Sequence, residues 1–479
     1  MGLPASEDRP HSAVPHPASS SASNPTIEGP VTGGLGHPSL LLANYPLSDV
    51  GYVETEYFFS GTAASYGNVG SLGSDGKWTV LPATSADFKS RVVVVQPIDP
   101  GRFSGTVVIE WFNVSGGADG APDWSLGHNE IVRSGHVYVG VSAQAVGVAA
   151  LATADAARYG SLVHPGDSYS YDMFSQAGQA VRAQASTLLP GLRPKEFIAA
   201  GESQSAFRMT TYVNAVAPLV NVFDSFLINS RSGTSAALSQ APHTDIPAPS
   251  VVFIRDDSAF PVLTFQTETD VAGPLNSLPA RQPDSPTFRL WEVAGTAHAD
   301  AYLVKHFPDD DGSLTSDLAQ FAAMTEPPTS ITLGGFSLTC PAPFNTGQQH
   351  YVFQAALRAL TEWTRSGNPP RSMPLLEVDT SRTPPTYVKD DLGNVCGGIR
   401  NPAVDAPIAV LSGIAPVDAP GFCVLFGQTV PLTPSEISAL YPTKNDFVQQ
   451  WRRSVREGVK NGSLLREDAD KLEAVVVGD

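Results

Sequence analysis

The feature that most constrains this chain is an abrupt strand-to-helix passage near its middle. Residues Glu196–Ala200, EFIAA, read as a short buried strand, and about Gln204–Ala217 read as a helix. Only Gly201, Glu202 and Ser203 separate them. So tight a turn requires small residues two before and two after its apex. Gly201 and Ser205 hold those positions, with Ala206 next. Ser205 replaces the second glycine of a G-x-S-x-G pattern and is small enough to keep the turn feasible. The apex side chain, Ser203, then stands at a helix N-terminus, where the dipole favours a developing negative charge. Taken alone, the same serine reads equally well as an ordinary N-cap.

The flanking sequence has the period this turn needs. Gly51–Ser60, Lys89–Ile98, Gly105–Asn113 and His136–Ala143 read as strands, and a helix is expected over about Tyr169–Leu189. Beyond the turn, Asp224–Asn229, Val251–Ile254, Pro261–Gln266 and Phe288–Val293 read as further strands. Strands alternating with helices predict an α/β fold, a mostly parallel sheet covered on both faces. The opening strands, joined without helices, are expected at an antiparallel edge. Helices are also expected over about Gln349–Ser366 and Asn445–Val459, separated by a Pro- and Gly-rich stretch.

A chain of 479 residues exceeds what one simple core supports, so one large domain with insertions, or one and a half domains, is expected. Residues 1–38, rich in Ser, Pro, Gly and His, read as a flexible tail. Residues 39–479 form the domain, and the part from about 307 onward is expected as a C-terminal extension or lid over the site.

The formal net charge of −18 disfavours partners that present phosphate, nucleic acid above all. No apolar run reaches the length of a membrane span, about 18 residues. The N-terminus lacks the basic start and apolar centre of a signal peptide, which leaves a cytoplasmic chain or one secreted after signal removal. The spacing of Cys340, Cys396 and Cys423 fits no zinc pattern. They read as three buried thiols, or as a Cys340–Cys423 disulfide with one thiol left over.

A serine hydroxyl is a weak nucleophile without a base and a group that orients the base. There are ten histidines, so position must decide between them. His298, in AGTAHAD, follows the strand FRLWEV directly; His128 and His164 precede the turn, and His243, His306 and His350 do not directly follow a strand. The acid is expected just after PVLTFQ, where Thr267-Glu268-Thr269-Asp270 offers both Asp270 and Glu268, with Asp270 preferred. Either carboxylate could instead merely cap a turn. An oxyanion needs two donors. The N–H of Gln204 is one, and that of Val114, in the loop Asn113-Val114-Ser115-Gly116-Gly117, is the other. Each element is ambiguous singly. Their order along the chain, each at a strand end, is what points to a single site.

With these residues in view, several long phrases resemble the family of α/β-hydrolase domain proteins. They include VIEWFNVSGG, VGVSAQAVGV, RYGSLVHPGDSYSYD, AAGESQSAFRMTTYVNA, VLTFQTETDV, LWEVAGTAHADAY, GGIRNPAVDAPIAVLSG and LFGQTVPL. The resemblance runs from about Pro30 to near the C-terminus. It implies an α/β-hydrolase fold with Ser203 in the GESQSA elbow and His298 in the AGTAHAD turn. It leaves Asp270 and Glu268 both open and names no substrate. Asn113, Trp124 and Gln144, with Tyr171 and Asp172, enter as candidate pocket residues. Each reads equally as packing.

The expected activity is hydrolysis of a carboxylic ester, small or polymeric, through an acyl-enzyme, with no metal or organic cofactor. An acyltransferase or amidase would use the same three side chains, and a non-catalytic binding protein of this fold is the alternative from another class.

Overall fold

A computed structural model describes residues 22–333 and 336–477. Nine strands form the main sheet: β1 (Thr26–Glu28), β2 (Tyr52–Asn68), β3 (Val80–Pro97), β4 (Thr106–Trp111), β5 (Val137–Val141), β6 (Glu196–Glu202), β7 (Ser225–Asn229), β8 (Val262–Thr267) and β9 (Phe288–Val293). Their spatial order is β1-β2-β3-β5-β4-β6-β7-β8-β9. The strands from β5 to β9 run parallel, while β1, β2 and β3 pair antiparallel and β3 joins β5 antiparallel. The antiparallel edge thus lies where helix-free connections predicted it.

Side-chain alternation sorts the sheet residues between two cores. Val107, Ile109 and Trp111 of β4, with Phe197 and Ala199 of β6, face one side. There Trp111 packs 5.0 Å from Phe174 and 5.7 Å from Tyr171, both on the helix Ser170–Ala183. Val108, Ile198 and Ala200 face the other side. That side is covered by the helices Pro122–Arg133 and Gln349–Ser366, with Phe353 edge-on to Phe265 at 5.5 Å. The helix Gln349–Ser366 therefore belongs to the sheet's own covering layer, although it falls within the stretch expected as an extension or lid. No helix among the described residues is long and apolar enough to cross a membrane.

Three local expectations need correction. The tail was expected to reach residue 38, yet Thr26–Glu28 already pair with Phe58–Ser60; residues 1–21 of that tail lie outside the described residues. Phe58–Ser60 pair with β3 on one side and with this strand on the other, and three residues in a Pro- and Gly-rich stretch are too few to show a period. Val251–Ile254 is not a strand of the sheet. Its N–H groups donate instead to scattered acceptors: Val252 to Gly233 O, Phe253 to Ser74 O and Ile254 to Gln282 Oε1. A short apolar run looks the same from sequence whether or not a ladder receives it. The reading of three thiols also gives way, since Cys340 and Cys423 are joined and Cys396 remains free.

Within the segment after Pro370, the stretch 409–431 returns to the carboxyl edge of the sheet, while the helix Arg466–Val477 pairs through Asp468 with Arg133 at the end of the helix Pro122–Arg133. Ala409–Ser412 pairs with Gln428–Pro431 as a hairpin, and its connecting loop leans on the turns after β8 and β9. Gly413 N–H donates to Glu268, Ala299 N–H donates to Leu425 O, and Asn345 Nδ2 bridges Gly295 O and Ser412 O.

Candidate active site

The apex of the turn after β6 carries the backbone its sequence demands. Ser203 has φ 55° and ψ −119°, a left-handed conformation that costs a non-glycine residue energy. A Cβ on Gly201 would stand 3.1 Å from the Ser205 backbone and Cβ, a tight contact that Ser205 would have to yield to by a few tenths of an ångström. Ser203 N–H donates to Asn229 O at the end of β7, which fixes the apex to the sheet. Gln204 begins the helix Gln204–Thr211, and its N–H is among those no helix can pair internally.

Three side chains from three strand ends converge on this apex. His298 Nε2 lies 2.8 Å from Ser203 Oγ. On the other side of the ring, His298 Nδ1 lies 2.7 Å from Asp270 Oδ1. The remaining oxygen, Asp270 Oδ2, accepts from Thr267 N–H at 2.7 Å and Thr267 Oγ1–H at 2.8 Å. Thr267 and Asp270 thereby make a capping box around the single turn Glu268–Val271. His298 is itself tethered, since its N–H donates to Thr269 Oγ1 at 3.0 Å. Burial disfavours the charged imidazole, but the carboxylates of Glu202 and Asp270 outweigh it and raise the His298 pKa.

Glu268, the other acid of the TETD turn, does not reach the imidazole. Its two oxygens accept from Gly295 N–H at 2.6 Å and Gly413 N–H at 2.7 Å. Burial pushes its pKa up to about 7 against those two bonds. Glu268 ties the turn after β8 to the turn after β9 and to the C-terminal hairpin. Gly413 permits the approach, because a Cβ there would meet Thr296 O at 2.3 Å and Glu268 Cβ at 2.5 Å.

The loop after β4 is closed by a reciprocal pair of backbone bonds, Asn113 N–H to Gly120 O and Gly120 N–H to Asn113 O. Asp119 anchors it from within, accepting from Arg91 Nη2 at 3.1 Å and Ser142 Oγ at 2.5 Å. Arg91 is wholly buried and also pairs with Glu56, which takes Arg158 as a second partner. Val114 follows Asn113 at the start of this loop, and its carbonyl accepts from Gly117 N–H.

The candidate pocket residues divide. Asn113 stands beside the elbow, but its amide is engaged by protein: Nδ2 donates to Glu202 O and Glu202 Oε2, both at 3.0 Å, and Oδ1 accepts from Ser115 N–H. Gln144 bridges Trp111 Nε1 and Asp167 and is buried. Trp124, expected at the substrate, instead packs in the core between Tyr138 and His128, with its Nε1–H donated to Leu42 O. It lies on the inward stripe of the helix Pro122–Arg133, so nearness in sequence to the loop after β4 misplaced it. Tyr171 OH bonds Ala237 O, and Asp172 accepts from Ala64 N–H and Gln176, which makes both structural.

One residue beside the imidazole escaped the sequence reading altogether. Glu202, the last residue of β6, places Oε1 3.3 Å from His298 Nε2. A carboxylate immediately before the apex serine is the only signal that pointed to it. Among the described residues, no group of three or more His, Cys, Asp or Glu side chains is arranged to hold a metal ion.

No curated protein matches the sequence. Among solved structures, the chain is similar to a CE15 glucuronoyl esterase from Teredinibacter turnerae at 12% identity, covering 57% of this chain and 74% of that one, with a TM-score of 0.29. It is also similar to an α/β serine hydrolase without lid from Xanthomonas campestris at 14% identity, covering 43% and 78%, with a TM-score of 0.28. A fungal esterase from Rhizomucor miehei matches at 14% identity, covering 51% and 78%, with a TM-score of 0.27. A family model described as an alpha/beta hydrolase domain matches residues 27–474, and the chain belongs to that family.

Proposed function

We propose that the protein is a serine hydrolase acting on carboxylic esters, with Ser203 as nucleophile, His298 as general base and Asp270 as the acid that orients it. The observation that carries this reading is the continuous line Asp270 Oδ1–His298 Nδ1, then His298 Nε2–Ser203 Oγ, at 2.7 and 2.8 Å. With Asp270 accepting at Nδ1, that nitrogen carries the proton and Nε2 is left to accept the hydroxyl proton of Ser203.

In the reaction, Ser203 Oγ bonds to the ester carbonyl carbon as its proton passes to His298 Nε2. The N–H groups of Gln204 and Val114 hold the oxyanion. Nε2 returns the proton to the departing alcohol oxygen as the ester C–O bond breaks. Water then repeats the sequence on the acyl-serine. The strained apex at Ser203 supports the assignment, because such a conformation persists where function holds it.

The test is Ser203→Ala assayed with p-nitrophenyl esters, alongside labelling of the wild-type protein by a fluorophosphonate. Turnover is expected to vanish in the variant while thermal unfolding stays close to wild type, and the label is expected on Ser203. Near-wild-type turnover in Ser203→Ala, or a label elsewhere, would overturn the reading.

A further inference from the structure

The catalytic imidazole has a second carboxyl partner that the three-residue scheme does not use. Glu202 is buried, with Oε1 3.3 Å from His298 Nε2, the same nitrogen that faces Ser203. Its position is fixed from two directions. Its backbone is the last rung of β6, paired in register with Asn229 of β7. Its Oε2 accepts from Asn113 Nδ2 at 3.0 Å, and the same amide holds the Glu202 carbonyl. Asn113 in turn opens the loop that Arg91 and Asp119 anchor. The groups facing Glu202 are thus His298, Asp270, Asp123 and the Asn113 amide. Asp123 belongs to a buried set beneath the turn, where its N–H donates to Glu110 and its carboxyl accepts from Asn229.

Resting on the assignment of Ser203 and His298, we propose that ionised Glu202 is a positioning residue that supplies counter-charge to the imidazolium formed at Nε2 during acylation and keeps the protonated ring in place beside Ser203. When Ser203 Oγ bonds to the carbonyl carbon, its O–H bond breaks and an N–H bond forms at Nε2. The new cation forms on a buried imidazole, where a single carboxylate at Nδ1 would otherwise face it. Glu202 lies on the side where the positive charge arises. Through Asn113 the same carboxyl joins the imidazole to the loop that carries Val114, so base and oxyanion donor are held in one frame.

The charges give the proposal a direction. Burial pushes the Glu202 pKa up to about 8; His298 and the Asn113 amide pull it down, while Asp123 and Asp270 add to the rise. Glu202 raises His298 in return. The two release their protons as a coupled pair, and the acid limb of kcat/KM reports that pair. Removing the Glu202 charge favours neutral imidazole and moves the limb to lower pH. Removing the Asn113 amide makes the Glu202 carboxyl hold its proton more tightly and moves the limb to higher pH. A purely structural role moves neither.

The experiment measures kcat/KM for a p-nitrophenyl ester from pH 5 to 10 in wild type, Glu202→Gln, Glu202→Asp, Asn113→Ala and Ser203→Ala, with thermal unfolding of each. Glu202→Gln is expected to lower the limb by at least about half a pH unit and the plateau by about tenfold. Glu202→Asp, which keeps the charge but withdraws it from Nε2, is expected to fall between. Asn113→Ala is expected to shift the limb the other way. A Glu202→Gln limb and plateau indistinguishable from wild type overturn the proposal. Should that variant not fold, limbs in Glu202→Asp and Asn113→Ala that both match wild type overturn it equally. Activity surviving in Ser203→Ala removes the underlying assignment and this proposal together. An inactive Ser203→Ala beside an unmoved Glu202→Gln removes this proposal alone.

Discussion

Replacing Asp270 by Asn and Glu268 by Gln, in parallel, separates two carboxylates of one turn by the work each does. Asp270 accepts three bonds, one from His298 Nδ1 and two from Thr267. An asparagine brings one acceptor oxygen and one amide nitrogen. If the nitrogen faces Thr267, two donors oppose each other where water cannot intervene. If it faces His298, Nδ1 must present its lone pair, and Nε2 then bears the proton and cannot take one from Ser203. Substitution of this kind in a serine triad lowers kcat by about four orders of magnitude, or about 5 kcal/mol of transition-state stabilisation.

Glu268→Gln should behave differently. Its oxygens serve only the N–H groups of Gly295 and Gly413, and one of these would then face an amide nitrogen. Losing a buried charge-assisted bond costs about 1.5–3 kcal/mol of stability. The expected result is a lower Tm with kcat per active site close to wild type. Active-site titration with a fluorophosphonate sets the concentration of competent enzyme, ester hydrolysis gives kcat, and thermal unfolding gives Tm. An Asp270→Asn variant within tenfold of wild type, or a Glu268→Gln variant more impaired per titrated site than Asp270→Asn, would refute the assignment.

Two further outcomes are expected. Cys340 and Cys423 close a separation of 83 residues beside the loop whose Leu425 carbonyl holds Ala299, so the double serine variant should lose about 2–4 kcal/mol of stability, checked by denaturant unfolding, and lower kcat more than it raises KM. Gly413→Ala should lower Tm and kcat together, because its Cβ would force the Thr296 carbonyl and the Glu268 stem apart; thermal unfolding and ester kinetics within error of wild type would contradict that.

The sequence made some of this architecture legible and hid the rest for physical reasons. Parallel strands buried on both faces write themselves as β-branched runs, so β4, β5 and β7 to β9 could be read at once. The elbow was legible because its constraint is local: Gly201 and Ser205 touch across a few bonds. The choice between Asp270 and Glu268 was harder, since both lie in one turn and the outcome depends on contacts from Gly413 and Gly295. A local clue did exist. Thr267 and Asp270 have the spacing of a capping box, which folds the third-position carboxylate back along the strand axis. Trp124 was misplaced because sequence adjacency says nothing about which way a helix turns its stripe. Glu202 went unread because its meaning depends on an imidazole contributed from another strand.

The bond from Gly413 to Glu268 spans 145 residues, and it has a consequence for how the enzyme comes into being. A ribosome delivers the elbow, then the turns after β8 and β9, and only much later the hairpin that braces them. Until that hairpin docks, the emerging polypeptide carries its serine without a firmly seated imidazole. On the assignment proposed above, reactivity would wait on that docking, and contacts of such long sequence separation form slowly.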